Sequence, residues 1–150
     1  MDALTLREYR PGDLDSIYAL DVVCFEPPFR FSRGAMRGFA EAAGAMTVLA
    51  EAHGELAGFS IAQLEKHIAY VVTLDVAPAW RRRGLARRLM AELEAKAQAA
   101  GATAMALHVF TGNTGAIQFY ESIGYNREGR AEAFYGRGLD ALVYRKRFEG

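Results

Sequence analysis

Leu4 and Leu6 alternate with polar neighbours up to Tyr9, a period of two that predicts a strand. Pro11-Gly12-Asp13 closes it and offers a capping aspartate to a helix whose expected buried stripe is Ile17, Leu20, Val23 and Cys24. That helix stops before Pro27-Pro28, and the two prolines are expected to hold residues 25–31 extended. A short second helix follows, from Ser32 to no later than Gly44. The period then returns to two, with strands over 46–52 and 56–64 joined at His53-Gly54-Glu55 as a hairpin, and a third strand over 68–76 after the turn Glu65-Lys66-His67. Leu85, Leu89, Leu93 and Ala97 recur every fourth residue, which predicts an amphipathic helix ended by Gly101. A strand over 103–110 and a helix over 113–123 come next, the helix with Ala116, Ile117, Tyr120 and Ile123 inward and Gly124 as its stop. Two strands, 126–135 and 139–148, complete the pattern.

The predicted order is β-α-α-β-β-β-α-β-α-β-β, an α/β fold in which the strand–helix–strand succession over 68–110 requires a parallel pair with a right-handed crossover. The expectation is one domain over 1–150 with a mixed sheet and helices on both faces. Lysine plus arginine and aspartate plus glutamate number 18 each, so no global field recruits nucleic acid or a membrane surface. A single cysteine, Cys24, excludes an internal disulfide and reads as a small buried residue; MDALTLREYRPGD has no apolar run of signal-peptide or membrane-span type. The expected location is the cytosol. His53 and His67 fall in turns and read as solvent-exposed.

Charge is local. Arg81, Arg82, Arg83, Arg87 and Arg88 crowd the start of the helix that opens near Gly84, where the macrodipole is already positive. Two readings stand: a solvated basic helix end, or an anion held by backbone N–H groups of a thin glycine loop with the arginines as further donors. Arg81-x-x-Gly84-x-Ala86, after an apolar strand, lacks the Gly-Lys-Ser/Thr of a P-loop and the third glycine of a dinucleotide fingerprint. It resembles the acyl-coenzyme A motif of the GNAT acetyltransferase superfamily. The resemblance implies a mostly antiparallel sheet with a splayed central parallel pair, and acetyl-CoA as the cofactor, its pyrophosphate held at Arg81, Arg82, Arg83, Gly84, Leu85, Ala86 and Arg87.

Acetyl transfer to an amine needs a bound acyl carrier, a deprotonated amine, donors for the oxyanion and a proton for the departing thiolate. By the same resemblance, Leu74, Asp75 and Val76 line the coenzyme arm and thioester through their backbone. Leu107-His108-Val109 and Asn113-x-x-Ala116-Ile117-x-Phe119-Tyr120-Glu121, followed by Gly124-Tyr125, resemble the second half of the coenzyme site in GNAT enzymes that acetylate protein N-termini. There the asparagine and tyrosine touch the coenzyme. Asn113 also reads as a plain helix cap, Tyr120 as a core residue and His108 as a satisfied core histidine. Bacterial members that acetylate a ribosomal-protein alanine usually carry glutamate at the position of His108; a eukaryotic branch carries histidine there and tyrosine at Tyr70, which share general-base work. An imidazole of ordinary pKa about 6.5 suits an α-amine of about 7.7–8.0 better than a lysine of about 10.4.

The 25–31 loop, through Phe25, Pro27 and Phe29, and the pair Phe134-Tyr135 are expected to face each other and Tyr70 across an acceptor groove; the loop also reads as a linker packed on the core. Glu26 interrupts the Phe-Pro pair that related enzymes have, which leaves the first-residue preference open. The expected acceptor is a protein or peptide N-terminus, with a small amine such as a polyamine or aminoglycoside as the alternative. A non-catalytic acyl-coenzyme A sensor is a third reading. No metal is expected.

Overall fold

The computed structural model describes residues 4–149. Its elements in chain order are β1 (Leu4–Glu8), α1 (Leu14–Cys24), α2 (Arg33–Glu41), β2 (Ala45–Ala52), β3 (Glu55–Glu65), β4 (Ile68–Val76), α3 (Leu85–Ala99), β5 (Ala104–Phe110), α4 (Thr114–Ser122), β6 (Asn126–Ala131) and β7 (Ala141–Arg147). Short 3-10 turns at Pro11–Asp13 and Pro78–Trp80 lead toward α1 and α3. The seven strands form one sheet ordered β1-β2-β3-β4-β5-β7-β6, antiparallel except for the pair β4–β5. Among the described residues no helix is long and apolar enough to cross a membrane.

One face carries α3, whose every-fourth stripe Leu85, Leu89, Leu93 and Ala97 is buried against Val48, Ala50, Ala62, Val71 and Leu107, with Tyr120 of α4 in the same cluster. The other face carries α1 and α2, where Leu14, Ile17, Leu20 and Met36 close over Leu49, Phe59 and Ile61. Gly58 explains how closely α3 lies on the sheet. A Cβ there would meet the Asp75 carbonyl oxygen at 2.7 Å and the side chains of Leu85 and Leu89 at 3.2 and 3.3 Å.

Two departures from regular pairing shape the centre. β4 and β5 pair only from Ile68↔Ala104 to Tyr70↔Ala106, after which the pairing ends and, among the described residues, the rest of β4 has no partner on that side. Against β3 the register jumps from Ala62↔Val71 to Ile61↔Thr73, so Val72 is an extra residue in β4. The bulge changes the phase of the strand: Ala69 and Val71 pack on the α3 side before it, Leu74 and Val76 after it. Tyr70 and Val72 are thereby set toward the α1 face, as are Thr73 and Asp75.

Several expectations need correction. Val23 is 62% exposed and the inward position belongs to Asp21, at 0%. The stripe runs through 14, 17, 21 and 24 with Leu20 beside it, and position 23 lies about 130° from its centre at 100° per residue. Cys24 is half-buried. Asp13 makes no side-chain cap; its carboxylate instead takes a bidentate bond from Arg7, at 2.8 and 2.7 Å, and the Arg10 N–H. Phe25 is extended, but residues 26–30 are not: the Glu26 carbonyl accepts from the N–H groups of Phe29 and Arg30, so Pro27 and Pro28 lie inside a tight turn. β6 ends at Ala131 rather than 135, because Ala133 is left-handed at φ 51° and the Asp140 carboxylate holds its N–H at 2.8 Å.

Candidate active site

The end of β4 feeds the 3-10 turn and then a loop in which Arg82 and Gly84 are both left-handed, at φ 62° and 80°. Such alternation turns successive backbone N–H groups toward one side. Ser32 caps α2 and Asn113 caps α4 by accepting from backbone N–H groups at 3.1 Å, but α3 opens on Gly84, which has no side chain to do so. The amides of Leu85, Ala86 and Arg87 therefore remain available at the positive end of a fifteen-residue helix. The space where a Gly84 Cβ would stand is open, with nothing within 4 Å. This donor set fits a diphosphate. Arg82, Arg83, Arg87 and Arg88 are exposed around it, Arg83 with its guanidinium 5.0 Å from the Trp80 ring centroid. Arg81 is directed elsewhere: Nε donates to the Val76 carbonyl at 3.1 Å, and the guanidinium lies 3.7 Å from Cys24 Sγ.

From this cradle the unpaired side of β4, including Leu74, Asp75 and Val76, runs along the gap toward β5. The Asp75 side chain is not in the gap; it is buried under α1. On the far rim Asn113 is exposed, its Oδ1 taken by the Ala116 N–H. Tyr120 is buried against Phe119 and Tyr125, and its phenol is held in the protonated form by burial first, then by the nearby Asp75, Tyr135 and Tyr70.

At the last paired position of β4 the Tyr70 hydroxyl lies 2.9 Å from His108 Nδ1. The two side chains meet because Leu107 and Val109 face α3, which turns His108 to the α1 face that Tyr70 also occupies. Burial pushes the Tyr70 phenol up to about 12 and lowers the His108 imidazole below its ordinary value. At neutral pH both are uncharged. Phe134 stacks flat on His108, with centroids 4.0 Å apart and 4° between planes.

The two loops expected to face each other do so. Phe29 packs on Tyr135 at 5.0 Å and on Phe110 at 4.9 Å, and Phe134 meets Tyr135 edge-on at 4.9 Å. Pro27 is exposed on the turn, while Phe25 is half-buried with its carbonyl accepting from Arg30 Nε at 2.9 Å. Phe110 was not among the expected groove residues. Its signal was present, since 108 and 110 share one face of a strand. His53 and His67 are exposed in turns, and among the described residues no group of three or more His, Cys, Asp or Glu side chains is placed to hold a metal.

Residues 14–125 match the acetyltransferase (GNAT) family. The Escherichia coli [ribosomal protein bS18]-alanine N-acetyltransferase is 31% identical over 83 residues, 55% of this chain and 56% of that protein. An uncharacterised Mycobacterium leprae protein is 42% identical over 77 residues, 51% of this chain and 21% of its own length. The matches thus span from about a fifth to just over half of these relatives. The crystal structure of the E. coli S18-alanine enzyme superposes with a TM-score of 0.87 at 24% identity, over 98% of this chain and 96% of that one. Arabidopsis thaliana NAA60 with a bisubstrate analogue gives 0.85 at 21%, over 99% of each chain. With its splayed parallel pair, uncapped α3 and family match over most of its length, the chain belongs to the GNAT acetyltransferase family.

Proposed function

We propose that this chain is an acetyl-CoA-dependent N-acetyltransferase whose acceptor is the α-amine of a protein or peptide N-terminus, working by direct transfer in a ternary complex. The observation that carries this reading is the Tyr70–His108 pair beside a cluster of aromatic rings from the two loops. The loop amides from Gly84 to Arg87 with Arg82, Arg83 and Arg87 would hold the diphosphate; the open edge of β4 at Leu74 to Val76 and Asn113 would hold the arm. Bound acetyl-CoA supplies the acetyl group as a thioester.

The deprotonation follows from the electronic state of the pair. A phenol at about 12 is no base at neutral pH, but its oxygen can accept a proton from the incoming ammonium, through water, while passing its own to His108 Nδ1. His108 is ready to receive it because burial keeps the imidazole neutral. Backbone N–H groups of Leu74 to Val76 are the oxyanion donors in this reading, and Tyr120, kept protonated by burial, is the proton source for the thiolate.

Groove chemistry favours a peptide over a polycation. The walls are Phe29, Phe110, Phe134 and Tyr135, and Asp140, the carboxylate of the second loop, is occupied by Arg130 and the Ala133 N–H. The likeness to a [ribosomal protein bS18]-alanine N-acetyltransferase points the same way. We place the activity in one domain spanning 1–150 and in the cytosol. The test is an acetylation assay on peptides varied at their first two residues, with N-blocked lysine peptides and spermidine as competitors. Mass gain on the free α-amine supports the reading; transfer only to spermidine or lysine overturns it.

A further inference from the structure

Two carboxyl groups lie inside the molecule beside this site. Asp21 of α1 and Asp75 of β4 are 0% and 1% exposed. Asp21 Oδ2 accepts the Phe31 N–H at 2.9 Å, and Asp75 Oδ1 accepts the Thr73 hydroxyl. Their other oxygens, Asp21 Oδ1 and Asp75 Oδ2, are buried with no donor among the described residues. Three titratable or charged groups face Asp75 from the surrounding elements. Arg81 follows β4 and bonds the Val76 carbonyl; the Cys24 thiol of α1 donates to the same carbonyl at 3.4 Å; the Tyr120 phenol of α4 is close enough to be raised by the Asp75 charge.

Two carboxylates side by side in an apolar interior repel and are both stripped of water, whereas a single proton between them satisfies both orphaned oxygens and leaves one negative charge facing Arg81. The Asp75 carboxyl is indeed held well above the usual range, by burial first and then by the hydrogen bond and charge of Asp21. The position of the pair matters. Asp21 grips the end of the loop that carries Phe29 into the groove, and Asp75 sits in the stretch of β4 beside the gap.

We propose that Asp21 and Asp75 share one proton and act as positioning residues, a clasp that holds the acceptor loop against β4 and sets the distance between the groove and the strand beside the thioester. The functional half of this rests on the acetyltransferase reading above; the shared proton does not. A proton retained by the folded chain and released on unfolding makes stability fall as pH rises, from the ordinary aspartate range up to the raised value in the native pair. Asparagine at 21 can accept from Phe31 with its oxygen and donate to Asp75 with its amide, closing the clasp with no shared proton.

The test is denaturant unfolding of the full chain between pH 5 and 8 for wild type and Asp21→Asn. The folding constant of wild type should fall more steeply with pH than that of the variant, by up to about tenfold per pH unit, because Asp21→Asn removes the charge that helps raise Asp75 while its burial remains. Equal slopes would overturn the shared proton, whatever the chain acetylates. Steady-state kinetics with Asp21→Ala complete it: the acceptor KM should rise about tenfold, as for a lost buried hydrogen bond, with acetyl-CoA affinity held and Asp21→Asn restoring the KM. An Asp21→Ala variant that weakens coenzyme and acceptor alike, or a KM that Asp21→Asn does not restore, would contradict the positioning role. If Asp21→Ala does not fold, Asp21→Asn decides alone, through its slope.

Discussion

Phe29 and Tyr135, from loops at opposite ends of the chain, meet edge to face with ring centroids 5.0 Å apart and an interplanar angle of 71°. The contact joins the two loops over Phe110, and an aromatic pair of this kind contributes about 0.5–1.5 kcal/mol beyond the area it buries. Phe29→Ala should raise the KM for a peptide acceptor by about tenfold and leave acetyl-CoA affinity unchanged. Titration of both substrates by initial rates checks this.

Gly84 stands at φ 80° with open space where its Cβ would be. Gly84→Val should weaken acetyl-CoA binding by more than about tenfold, because the backbone can no longer approach a phosphate, and should destabilise the fold by about 1–2 kcal/mol through left-handed strain. No clash with the protein contributes, so Gly84→Ala should bind better than valine. Calorimetry with the three proteins and their unfolding midpoints separates the two effects.

Cys24 is half-buried, and burial lifts its thiol to about 11, with the charge of Asp75 adding to the shift and Arg81 opposing it. A thiol of that kind is not a nucleophile at neutral pH. Cys24→Ala should retain most of its turnover, double-reciprocal lines should intersect, and intact mass should show no acetyl-cysteine. Parallel lines would point to a covalent intermediate instead.

Leu93 is fully buried where α3 crosses the sheet, so Leu93→Ala should cost about 2–5 kcal/mol of stability by creating a cavity. Its acceptor KM below the unfolding transition should not change, since Phe29, Phe110, Phe134 and Tyr135 are not part of its core cluster. Denaturant midpoints and kinetics measured on one preparation test both statements.

The sheet and its helices were legible because their periods are strong and their ends are marked. β4 occupies Ile68–Val76 as its alternation predicts, and Gly101 and Gly124 adopt the left-handed conformation, φ 98° at each, that their helix ends require. What failed to show was polar burial. Asp21 reads as a solvent-side residue by type, and only the partner at Asp75, far along the chain, makes its inward place sensible. The turn at residues 26–30 was hidden for a related reason, since its backbone bonds converge on Glu26 while the prolines promised extension. In the site, the family resemblance pointed to Tyr70 and His108, but their contact depends on where the β4 bulge falls, and the extra residue Val72 has no signature of its own.

The measurement that bears most directly on the central claim is a pH–rate series with a peptide acceptor for wild type, His108→Ala and Tyr70→Phe. Each variant should lower kcat by about tenfold to a thousandfold near neutral pH, with acetyl-CoA affinity unchanged. Wild-type rate should fall at acid pH as the imidazole protonates, below its ordinary range because burial depresses it. The deficit of both variants should narrow as pH rises through the amine's own pKa of about 7.7–8.0, where the acceptor arrives already deprotonated. Tyr120→Phe should keep its deficit at high pH, since its proton serves the thiolate. A His108→Ala enzyme that tracks wild type at every pH would contradict the account and leave His108 as a packing residue under Phe134.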